Sequence, residues 1–521
     1  MGRILLLTGV AVAGLGGAFA LAPSMAAQGS EPLCRRAPDL PQLPAEVAQA
    51  QQQRPDRYRE PAPERDGSGG DVIDDLPASK VAPPPPAPPP PPSPAPVMES
   101  VSPVTVISSG DVAVTGSRVE KGSATSPTVA PPPPAAERDG GEGERAAYLP
   151  PRYSPPPGLL TAGDHDDLLN PSLYARYVAR AVRQLGQRIS GLPQVDTRRV
   201  VKIAVEDGSG RPVAFVPVKI TCADGNSLTL STVADGRVAL FPSLDRLGQR
   251  ITVEAGGVRR TIIIDRASGG QEQTLVVRSP ARPARKFDLM IALDSTGSMG
   301  DEIEFLKSEL RSILSDLQRA YPDLDMRVGL VAYRDIGDDY VTRTDPLTAN
   351  FDTIQRSLSR TRGEGGGDMP EAMDQALIRA VGQDWRPDAV KSLLLVADAP
   401  PHDNLQGRAF VAAEAARARR IQVVPIASSG VDDRAEYFMR AVAAATQSRY
   451  IFLTDDSGIG NPHAEPDVDC YVVTQLAGAV RRVLASLISG ERLEPLPEEV
   501  IRVTGRYDHG KCVLPPNFKV Q

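Results

Sequence analysis

From residue 286 onward, uninterrupted apolar runs alternate with longer segments in which apolar residues recur every three or four positions. Such runs are typical of strands buried on both faces, and the longer segments are typical of helices that pack over them. Together they predict an α/β domain over residues 286–490, with a doubly wound, mostly parallel sheet flanked by helices. The predicted strands are Phe287–Asp294, Met326–Asp335, Lys391–His402, Gln422–Gly430 and Arg449–Asp456. The predicted helices are Ile303–Ala320, Phe351–Arg360, Glu371–Val381, Gly407–Arg420, Arg434–Ala445 and Tyr471–Ile488.

Residues 199–279 have a different pattern, in which apolar and polar residues alternate one by one. Turn signals such as Asp207–Gly210 interrupt the alternation. Short strands at this spacing predict a small antiparallel β-sandwich. The preceding residues 159–198 are predicted to be a linker, with a turn-rich acidic stretch at Leu160–Asp167 and a helix at Leu173–Leu185.

The N-terminal region has no such periodicity. A single charge at Arg3 precedes an apolar stretch, Ile4–Ala22, and small residues follow it, so residues 1–27 are predicted to be a secretory signal or an uncleaved membrane anchor. Residues 28–158 are rich in proline, glycine, serine and charge, and they cannot bury enough apolar surface to offset their ordering entropy. They are predicted to form a disordered, Pro-rich spacer. Residues 491–521 are predicted to be a tail.

Charge and cysteine content narrow the function classes. The formal net charge of −7 and the pI near 5.4 argue against a nucleic-acid partner, which usually requires a basic stripe. Export would permit disulfides. Of the four cysteines, Cys470 and Cys512 are predicted to pair because both lie in the C-terminal part of the chain.

Acidic residues stand at the ends of several predicted strands: Asp294, Asp335, Asp398 and Asp455. In parallel sheets, ligands bind beyond the carboxyl ends of the strands. We therefore expect a ligand site at this edge.

The sequence Asp294-Ser-Thr-Gly-Ser298 joins the first of these strands to a helix. It lacks the Gly-Lys-Ser/Thr ending of a phosphate-binding loop and the Gly-x-Ser-x-Gly spacing of a serine hydrolase. Thr296 stands where an aspartyl-phosphate phosphatase needs a second carboxylate, and Gly297 is one residue too late for an aspartic protease. Capping of the following helix by Asp294 or Ser295 remains an alternative.

Four motifs in order resemble von Willebrand factor type A (vWA) domains, which have a Rossmann-like fold. They are the Asp-x-Ser/Thr-x-Ser signature at Asp294–Ser298, then Ala332–Asp335, Gly365–Glu371 and Ala397–His402. The resemblance covers roughly residues 286–490 and is similar to the hemicentin-like and α-kinase-associated subgroup. In residues 199–279, VEDGSGRPVAFVPVKI and TVADGRVALF resemble immunoglobulin-like or carboxypeptidase-regulatory-like modules.

The vWA resemblance implies a metal-ion-dependent adhesion site formed by Asp294, Thr296, Ser298, Asp368 and Asp398. Hydroxyl and carboxylate oxygens suit a hard divalent cation, with Mg²⁺ expected first and Mn²⁺ or Ca²⁺ as alternatives. Adhesion receptors carry a threonine on the second loop, whereas this chain offers Asp368. Because a third acid neutralises the cation more fully, it should weaken the attraction for an incoming carboxylate.

Neighbouring residues have structural interpretations. His402 is predicted to cap the next helix, and Asp335 to pair with Arg334. The acidic residues between Asp455 and Asp469 fit no calcium-binding loop and are predicted to be solvated.

The sequence thus predicts an exported protein, located in the periplasm, cell envelope or extracellular space, that binds a protein ligand through the metal and is not an enzyme. The ligand could complete the metal sphere with an acidic side chain, and a membrane would be contacted only through an uncleaved N-terminal anchor. One alternative is a metal-assisted hydrolase, for which His402 is the candidate base. Another is a structural cell-envelope protein with a vestigial site.

Overall fold

The computed structural model describes residues 33–44, 160–186, 192–265, 269–367, 369–457, 463 and 465–514. The whole of the predicted signal, most of the Pro-rich spacer and Asp368 lie outside the described residues. The strands are Thr161–His165 (β1), Val201–Glu206 (β2), Pro217–Cys222 (β3), Ser227–Ser231 (β4), Arg237–Leu240 (β5), Arg250–Ala255 (β6), Val258–Ile263 (β7), Gln271–Val276 (β8), Lys286–Asp294 (β9), Asp325–Tyr333 (β10), Thr342–Thr348 (β11), Val390–Ala397 (β12), Ile421–Ala427 (β13), Tyr450–Thr454 (β14), Tyr471–Gln475 (β15), Arg502–Thr504 (β16), Tyr507–Asp508 (β17) and Lys511–Cys512 (β18). The α-helices are Pro171–Leu185 (α1), Gly300–Ala320 (α2), Phe351–Arg360 (α3), Met373–Val381 (α4), Gln406–Ala418 (α5), Asp433–Ala445 (α6) and Leu476–Ser489 (α7).

A mixed sheet of nine described strands forms the centre of the α/β domain, in the order β11-β10-β9-β12-β13-β14-β1-β15-β16. The five central strands are parallel to one another; they are β10, β9, β12, β13 and β14. At one margin β11 runs antiparallel to β10, and at the other β1 runs antiparallel to β14 and β15, and β16 antiparallel to β15. The predicted α/β fold with a mostly parallel central sheet is therefore confirmed.

Helices cover both faces of this sheet. Along β9, Met290 and Ala292 contribute to the core beneath α1, α4, α5 and α6, whereas Leu289, Ile291 and Leu293 contribute to the core beneath α2, α3 and α7. Because successive side chains of a strand point to opposite faces, a strand covered on both sides must be apolar throughout. This explains the uninterrupted apolar runs in the sequence.

Several segments differ from the prediction, including β11, which the pattern does not predict, and β16, which pairs with β15 although it lies in the predicted tail. Tyr471–Gln475, predicted to begin the last helix, is strand β15, and the helix starts only at Leu476. Thr161–His165, predicted to be part of a turn-rich stretch, is strand β1, which lies between β14 and β15 and pairs with both. Gly163 is required there because a Cβ atom at this position would lie 2.6 Å from the ring of Phe452.

The predicted sandwich consists of a three-stranded sheet, β5-β2-β8, and a four-stranded sheet, β4-β3-β6-β7, which enclose one apolar core. One detail of the prediction is wrong, because β2 and β8 run parallel rather than antiparallel. The sandwich contacts α5 directly: Arg417 forms an ion pair with Asp245 at 2.7 Å and donates to the carbonyl oxygen of Ala239 at 2.6 Å.

Residues 33–44, which we call the N-terminal strap, pack against this folded body although they fall within the predicted spacer. Cys34 forms a disulfide with Cys222 in the sandwich. Arg35 pairs with Glu414 on α5, and Leu40 and Leu43 pack against the core of the α/β domain.

The predicted Cys470–Cys512 disulfide is confirmed, and it ties the C-terminal segment to the residue preceding β15. Among the described residues, no helix combines the length and the apolar composition needed to cross a membrane.

Candidate functional site

The candidate site lies where β9 and β12 end side by side. Asp294 is the last residue of β9, and Asp398 directly follows β12. The two strands are parallel neighbours, with Leu293 opposite Val396, so the two carboxylates reach the same edge of the sheet. Both residues are almost fully buried, at 0% and 1% exposure. Asp335 and Asp455 likewise follow the ends of β10 and β14, as the sequence predicted.

The loop between β9 and α2 brings hydroxyl groups to the two carboxylates. The backbone N–H and the hydroxyl of Thr296 donate to Asp294 Oδ1 at 3.0 and 2.8 Å. Ser298 Oγ lies 3.5 Å from Thr296 Oγ1, and the Ser298 hydroxyl hydrogen-bonds to Asp398. The structure thus brings together four of the five predicted ligands, namely Asp294, Thr296, Ser298 and Asp398.

Ser295 does not cap helix α2. The helix begins at Gly300, and its N-cap residue, Met299, makes no side-chain capping hydrogen bond. Instead, the Ser295 hydroxyl donates to the carbonyl oxygen of Tyr333 and accepts from the hydroxyl of Tyr340, at 2.8 and 2.7 Å. Ser295 therefore fixes the loop to β10 and to the segment that follows it.

A glycine-rich segment, residues 363–367, lies directly against this loop. The N–H of Gly297 donates to the carbonyl oxygen of Gly365 at 3.0 Å. Gly366 has φ +63°, and a Cβ atom there would lie 2.9 Å from Thr296 Cβ and 2.8 Å from Glu371 Oε1. Only glycine allows this close approach. Asp368, the predicted second-loop ligand, lies just beyond this segment and outside the described residues, so its role remains a prediction.

The predicted roles of His402 and Asp335 are wrong. Helix α5 starts at Gln406 without a side-chain cap, and His402 Nε2 instead lies 2.7 Å from Asp335 Oδ1. Asp335 does not pair with Arg334, whose guanidinium group points to Glu364 at 3.4 Å and donates to the carbonyl oxygen of Ser295.

Two carboxylates near the site were not among the predicted ligands. Glu371 is 3% exposed, and its Oε2 has no hydrogen-bond partner. Glu302 is 1% exposed, and its Oε2 is also without a partner. In the sequence both look like acidic residues at a helix N-terminus, which are common and solvated. Only the fold shows that they are buried.

Burial and mutual repulsion disfavour the ionised form of these acids. Burial and the nearby Asp398 raise the pKa of Asp294 to about 8. Burial, followed by Asp294, Asp335 and Asp398, raises the pKa of Glu371 to about 9. Burial also raises the pKa of Asp398, against the effect of its hydrogen bond from Ser298. Within the described residues, no lysine or arginine offsets these charges.

One oxygen of each of Asp294, Asp398 and Glu371 is buried without a hydrogen-bond partner. Buried carboxylate oxygens without partners are costly, so a cation is the chemical group that would satisfy them. Among the residues that the structure describes, no three Asp, Glu, His or Cys side chains are arranged to hold a metal ion by themselves. A cation here would therefore also need the hydroxyl oxygens of Thr296 and Ser298, and this mixed donor set suits Mg²⁺.

The acidic loop after β14 is not simply solvated, contrary to the prediction. Asp456 pairs with Arg502, Asp469 with Arg176, and Asp467 with Arg180. Because arginine side chains of other elements point to this loop, most of its charge is offset locally.

Comparison with known proteins identifies the domain. Residues 288–461 match the model of the von Willebrand factor A domain. The chain is 30% identical over 123 residues to an α-protein kinase, vwkA, of Dictyostelium discoideum, and 31% identical over 124 residues to a putative ariadne-like RING finger protein, R811, of Acanthamoeba polyphaga mimivirus. Each match covers 23% of this chain but only 20% and 12% of those relatives.

The solved structures that resemble this chain have lower sequence identity to it than these two relatives. The pilus adhesin SpaC of Lactobacillus rhamnosus GG has 14% identity and a TM-score of 0.30, with coverage of 40% of this chain and 30% of the adhesin. A conserved protein, BatB, of Bacteroides thetaiotaomicron has 15% identity and a TM-score of 0.28, with coverage of 39% and 98%. On the strength of the family match, the chain contains a vWA domain.

Proposed function

We propose that this chain is an exported, metal-dependent protein-binding protein of the adhesion or scaffold type. Its vWA domain would hold a divalent cation, Mg²⁺ before Mn²⁺ or Ca²⁺, at the edge where β9 and β12 end. The observation that carries this proposal is the set of buried carboxylates with unpartnered oxygens at Asp294, Asp398 and Glu371. Several buried acids without a basic partner are hard to explain in a site that never receives a cation.

The cation would be held by Asp294, Thr296, Ser298 and Asp398, with Glu371 as an added carboxylate and Asp368 as the predicted second-loop ligand. When bound, the metal would supply an electrophilic position that an acidic side chain of a protein partner can occupy. Thr296 and Ser298 contribute oxygens without charge, so the carboxylates alone set how far the metal is neutralised.

The number of acids affects how the site captures a partner. Glu371 would add a third acidic group near a cation held by Asp294 and Asp398, even before Asp368 is considered. A cation so fully neutralised attracts a further carboxylate less strongly. We therefore expect tight metal binding and moderate partner affinity, with much of the partner's binding energy coming from contacts around the metal.

Export is supported by two features. The first 27 residues have the composition of a secretory signal or anchor. In addition, all four cysteines form disulfides, Cys34–Cys222 and Cys470–Cys512, which persist in oxidising compartments.

The test is a thermal unfolding series with and without Mg²⁺. We expect Mg²⁺ to raise the melting temperature of the wild type but not that of Asp294→Ala, because the variant lacks a central ligand. In EDTA the variant should be no less stable than the wild type, since it has lost a buried, unpaired carboxylate.

The control is Asp339→Ala, which removes an exposed acid from the loop after β10 and should keep the full Mg²⁺ response. Equal Mg²⁺ shifts in the wild type and Asp294→Ala would contradict the proposed site. A pull-down from envelope extract with and without EDTA then identifies metal-dependent partners.

One observation favours a second candidate function. The imidazole of His402 is oriented by Asp335 at 2.7 Å, as a general base beside a metal would be. A metal-assisted hydrolase would lose turnover in His402→Ala, whereas a binding protein would keep its ligand. If chelators change neither stability nor binding, the third alternative, a structural protein with a vestigial site, is favoured.

A further inference from the structure

A hydrogen-bonded network connects the candidate metal site to the segment after β14. We define the Glu302 network as Glu302, Ser429, His463 and Asp455. Glu302 Oε1 accepts from the backbone N–H and from the hydroxyl of Ser429, both at 2.9 Å. Ser429 Oγ lies 3.0 Å from His463 Nε2, and His463 Nδ1 lies 2.7 Å from Asp455 Oδ1.

This network ends next to the candidate site. Glu302 lies in the first turn of α2, four positions after Ser298. Ser429 follows β13, and the N–H of the preceding Ser428 donates to the carbonyl oxygen of Ala397, the residue before Asp398. Only one oxygen of Glu302 is held by Ser429, and the other, Oε2, is buried without a partner.

Hydrogen-bond counting gives the direction of each contact. A serine hydroxyl has one proton, so its donation to Glu302 leaves the Ser429 oxygen to accept from His463 Nε2–H. Asp455 Oδ1, which lies 2.7 Å from His463 Nδ1, also accepts from the backbone N–H of His463 at 2.9 Å. The His463 ring thus lies between the Asp455 carboxylate and the Ser429 hydroxyl, which in turn contacts Glu302.

A catalytic serine would use the same three residue types, but exposure argues against it. Ser429 is only 4% exposed, and the His463 side chain is 3% exposed, whereas the Asp455 side chain is 59% exposed. A nucleophilic serine must be accessible, and its proton must go to the histidine. Here the serine is buried together with the histidine, and the serine hydroxyl donates to Glu302.

We propose that the Glu302 network holds the Glu302 carboxylate as an additional negative group beside the cation, so that metal affinity depends on His463, a residue outside the metal-binding loops. This inference rests on the proposed function and deepens it. Glu302 and His463 act as positioning residues, which do not bind the metal themselves. Glu302 places a carboxylate near the residues that would bind the metal, and His463 holds Ser429, which holds Glu302. Removal of such supporting partners typically weakens metal affinity by about 10- to 100-fold.

The experiment is a titration of the full chain with Mn²⁺, followed by electron paramagnetic resonance, which counts free Mn²⁺ directly. We expect Glu302→Gln, Ser429→Ala and His463→Gln each to weaken Mn²⁺ binding by about tenfold. Ser429→Thr keeps a hydroxyl group and should restore most of the affinity. His509→Gln is the matched control, because the His509 side chain is 85% exposed and pairs only with its neighbour Asp508 among the described residues.

Thermal unfolding in EDTA distinguishes a role of the Glu302 network in metal affinity from a purely structural role. If the network positions Glu302, the variants should lose Mn²⁺ affinity without a matching loss of metal-free stability. An unchanged affinity in Glu302→Gln, or a loss of affinity that follows metal-free unfolding, would overturn the inference. Covalent labelling of Ser429 by a fluorophosphonate would also overturn it, in favour of a nucleophilic serine.

The two proposals fail in different ways. If Asp294→Ala abolishes Mn²⁺ binding while Glu302→Gln binds like the wild type, the metal site stands and the role of the Glu302 network is refuted. If the wild type binds no Mn²⁺, the proposed function itself is refuted and the network inference falls with it.

Discussion

Glu371 contributes a buried carboxyl group to a site that already contains Asp294 and Asp398. Its position depends on two local features, the close approach of Gly366 to its side chain and the hydrogen bond from its N–H to the carbonyl oxygen of Pro400. These contacts hold the carboxylate beside the site even though burial and repulsion raise its pKa to about 9. A cation would convert this repulsion into attraction.

Replacement of Glu371 by glutamine should therefore have opposite effects with and without metal. In EDTA, Glu371→Gln should unfold at a higher temperature than the wild type, because it removes a buried carboxylate that lacks a basic partner. Its Mg²⁺ affinity, measured by calorimetry, should fall at least about tenfold.

Glu364→Gln provides the comparison within the same segment. The Glu364 side chain is 65% exposed and, among the described residues, contacts only Arg334, at 3.4 Å, so both measurements should stay near the wild-type values. A Glu371→Gln protein with wild-type Mg²⁺ affinity would show that Glu371 is not a ligand.

Part of the candidate site can be predicted from sequence because strand ends are easy to locate. Asp294 and Asp398 follow apolar runs, and parallel strands bring their carboxyl ends to one edge. Glu302 and Glu371 cannot be found in this way. Glu302 is buried against Ser429, 127 residues later in the chain, and Glu371 against Gly366 and Pro400, and no pattern in the sequence predicts either contact.

At the scale of elements, β1 is the feature that the sequence pattern conceals. Its sequence, Thr161–His165, includes a glycine, an aspartate and a histidine, yet all five residues are buried. Ion pairs make this possible: Asp164 binds Arg449 and Arg482, and Asp167, two residues after the strand, binds Arg440. A polar strand of this kind has no hydrophobic periodicity, whereas β9 and β12 have the apolar runs that allow their prediction.

The Arg440–Asp167 pair should be a major source of stability for this inserted segment. Both side chains are 2% exposed, and Arg440 also pairs with Glu436 and stacks on the ring of Tyr177. Arg440→Met should lower the free energy of unfolding by about 3–5 kcal/mol, because it leaves the buried carboxylate of Asp167 without its arginine partner and with His165 alone at 3.4 Å. Denaturant titration measures this directly.

The effect should depend on pH. Burial alone would raise the pKa of Asp167, but Arg440 and His165 together more than offset it and lower the pKa to about 2. In the wild type, this stabilisation is present above about pH 4 and is lost as the pH falls through about 2. The difference between the wild type and Arg440→Met should therefore be largest at neutral pH and should shrink toward pH 3.

Arg434→Met tests whether the large expected loss of stability in Arg440→Met comes from the buried position of Arg440. Arg434 lies on the same helix, is partly exposed and pairs with Asp432 and Asp403. Its loss should cost less than about 1 kcal/mol. Equal costs for the two variants would contradict the role assigned to Arg440.

At the scale of the whole molecule, the N-terminal strap joins the sandwich to the α/β domain. The Cys34–Cys222 disulfide closes a loop with a sequence separation of 188, against 42 for Cys470–Cys512. The hydrophobic pattern of the chain could not predict this connection, because the strap is short and rich in proline and charge. Its stability comes from the disulfide and from contacts such as Arg35 with Glu414.

Removal of the longer connection should destabilise the fold more than removal of the shorter one. In the chain-entropy description, loops of these lengths correspond to about 5 and about 4 kcal/mol at most. We expect Cys34→Ser with Cys222→Ser to lower the unfolding free energy by about 2–5 kcal/mol, as measured in denaturant. The Mg²⁺-induced shift should persist, because the strap contacts Glu414 near the far end of α5 from His402.

The matching double variant, Cys470→Ser with Cys512→Ser, sets the scale for a short loop. A larger loss of stability in this variant than in the Cys34–Cys222 variant would show that loop length does not govern either effect.

The N-terminal strap also determines which covalent bonds would carry a pulling force applied at the N-terminal end of the chain. Residue 44 and residue 160 both belong to the described folded part of the chain, and residues 45–159 join them in sequence. A pull applied before Cys34 would pass directly into the sandwich through the Cys34–Cys222 bond and bypass those residues. The Pro-rich segment therefore adds no reach between an N-terminal attachment point and the metal site while that bond is intact. Reduction would release up to about 3.5 Å of extension for each bypassed residue.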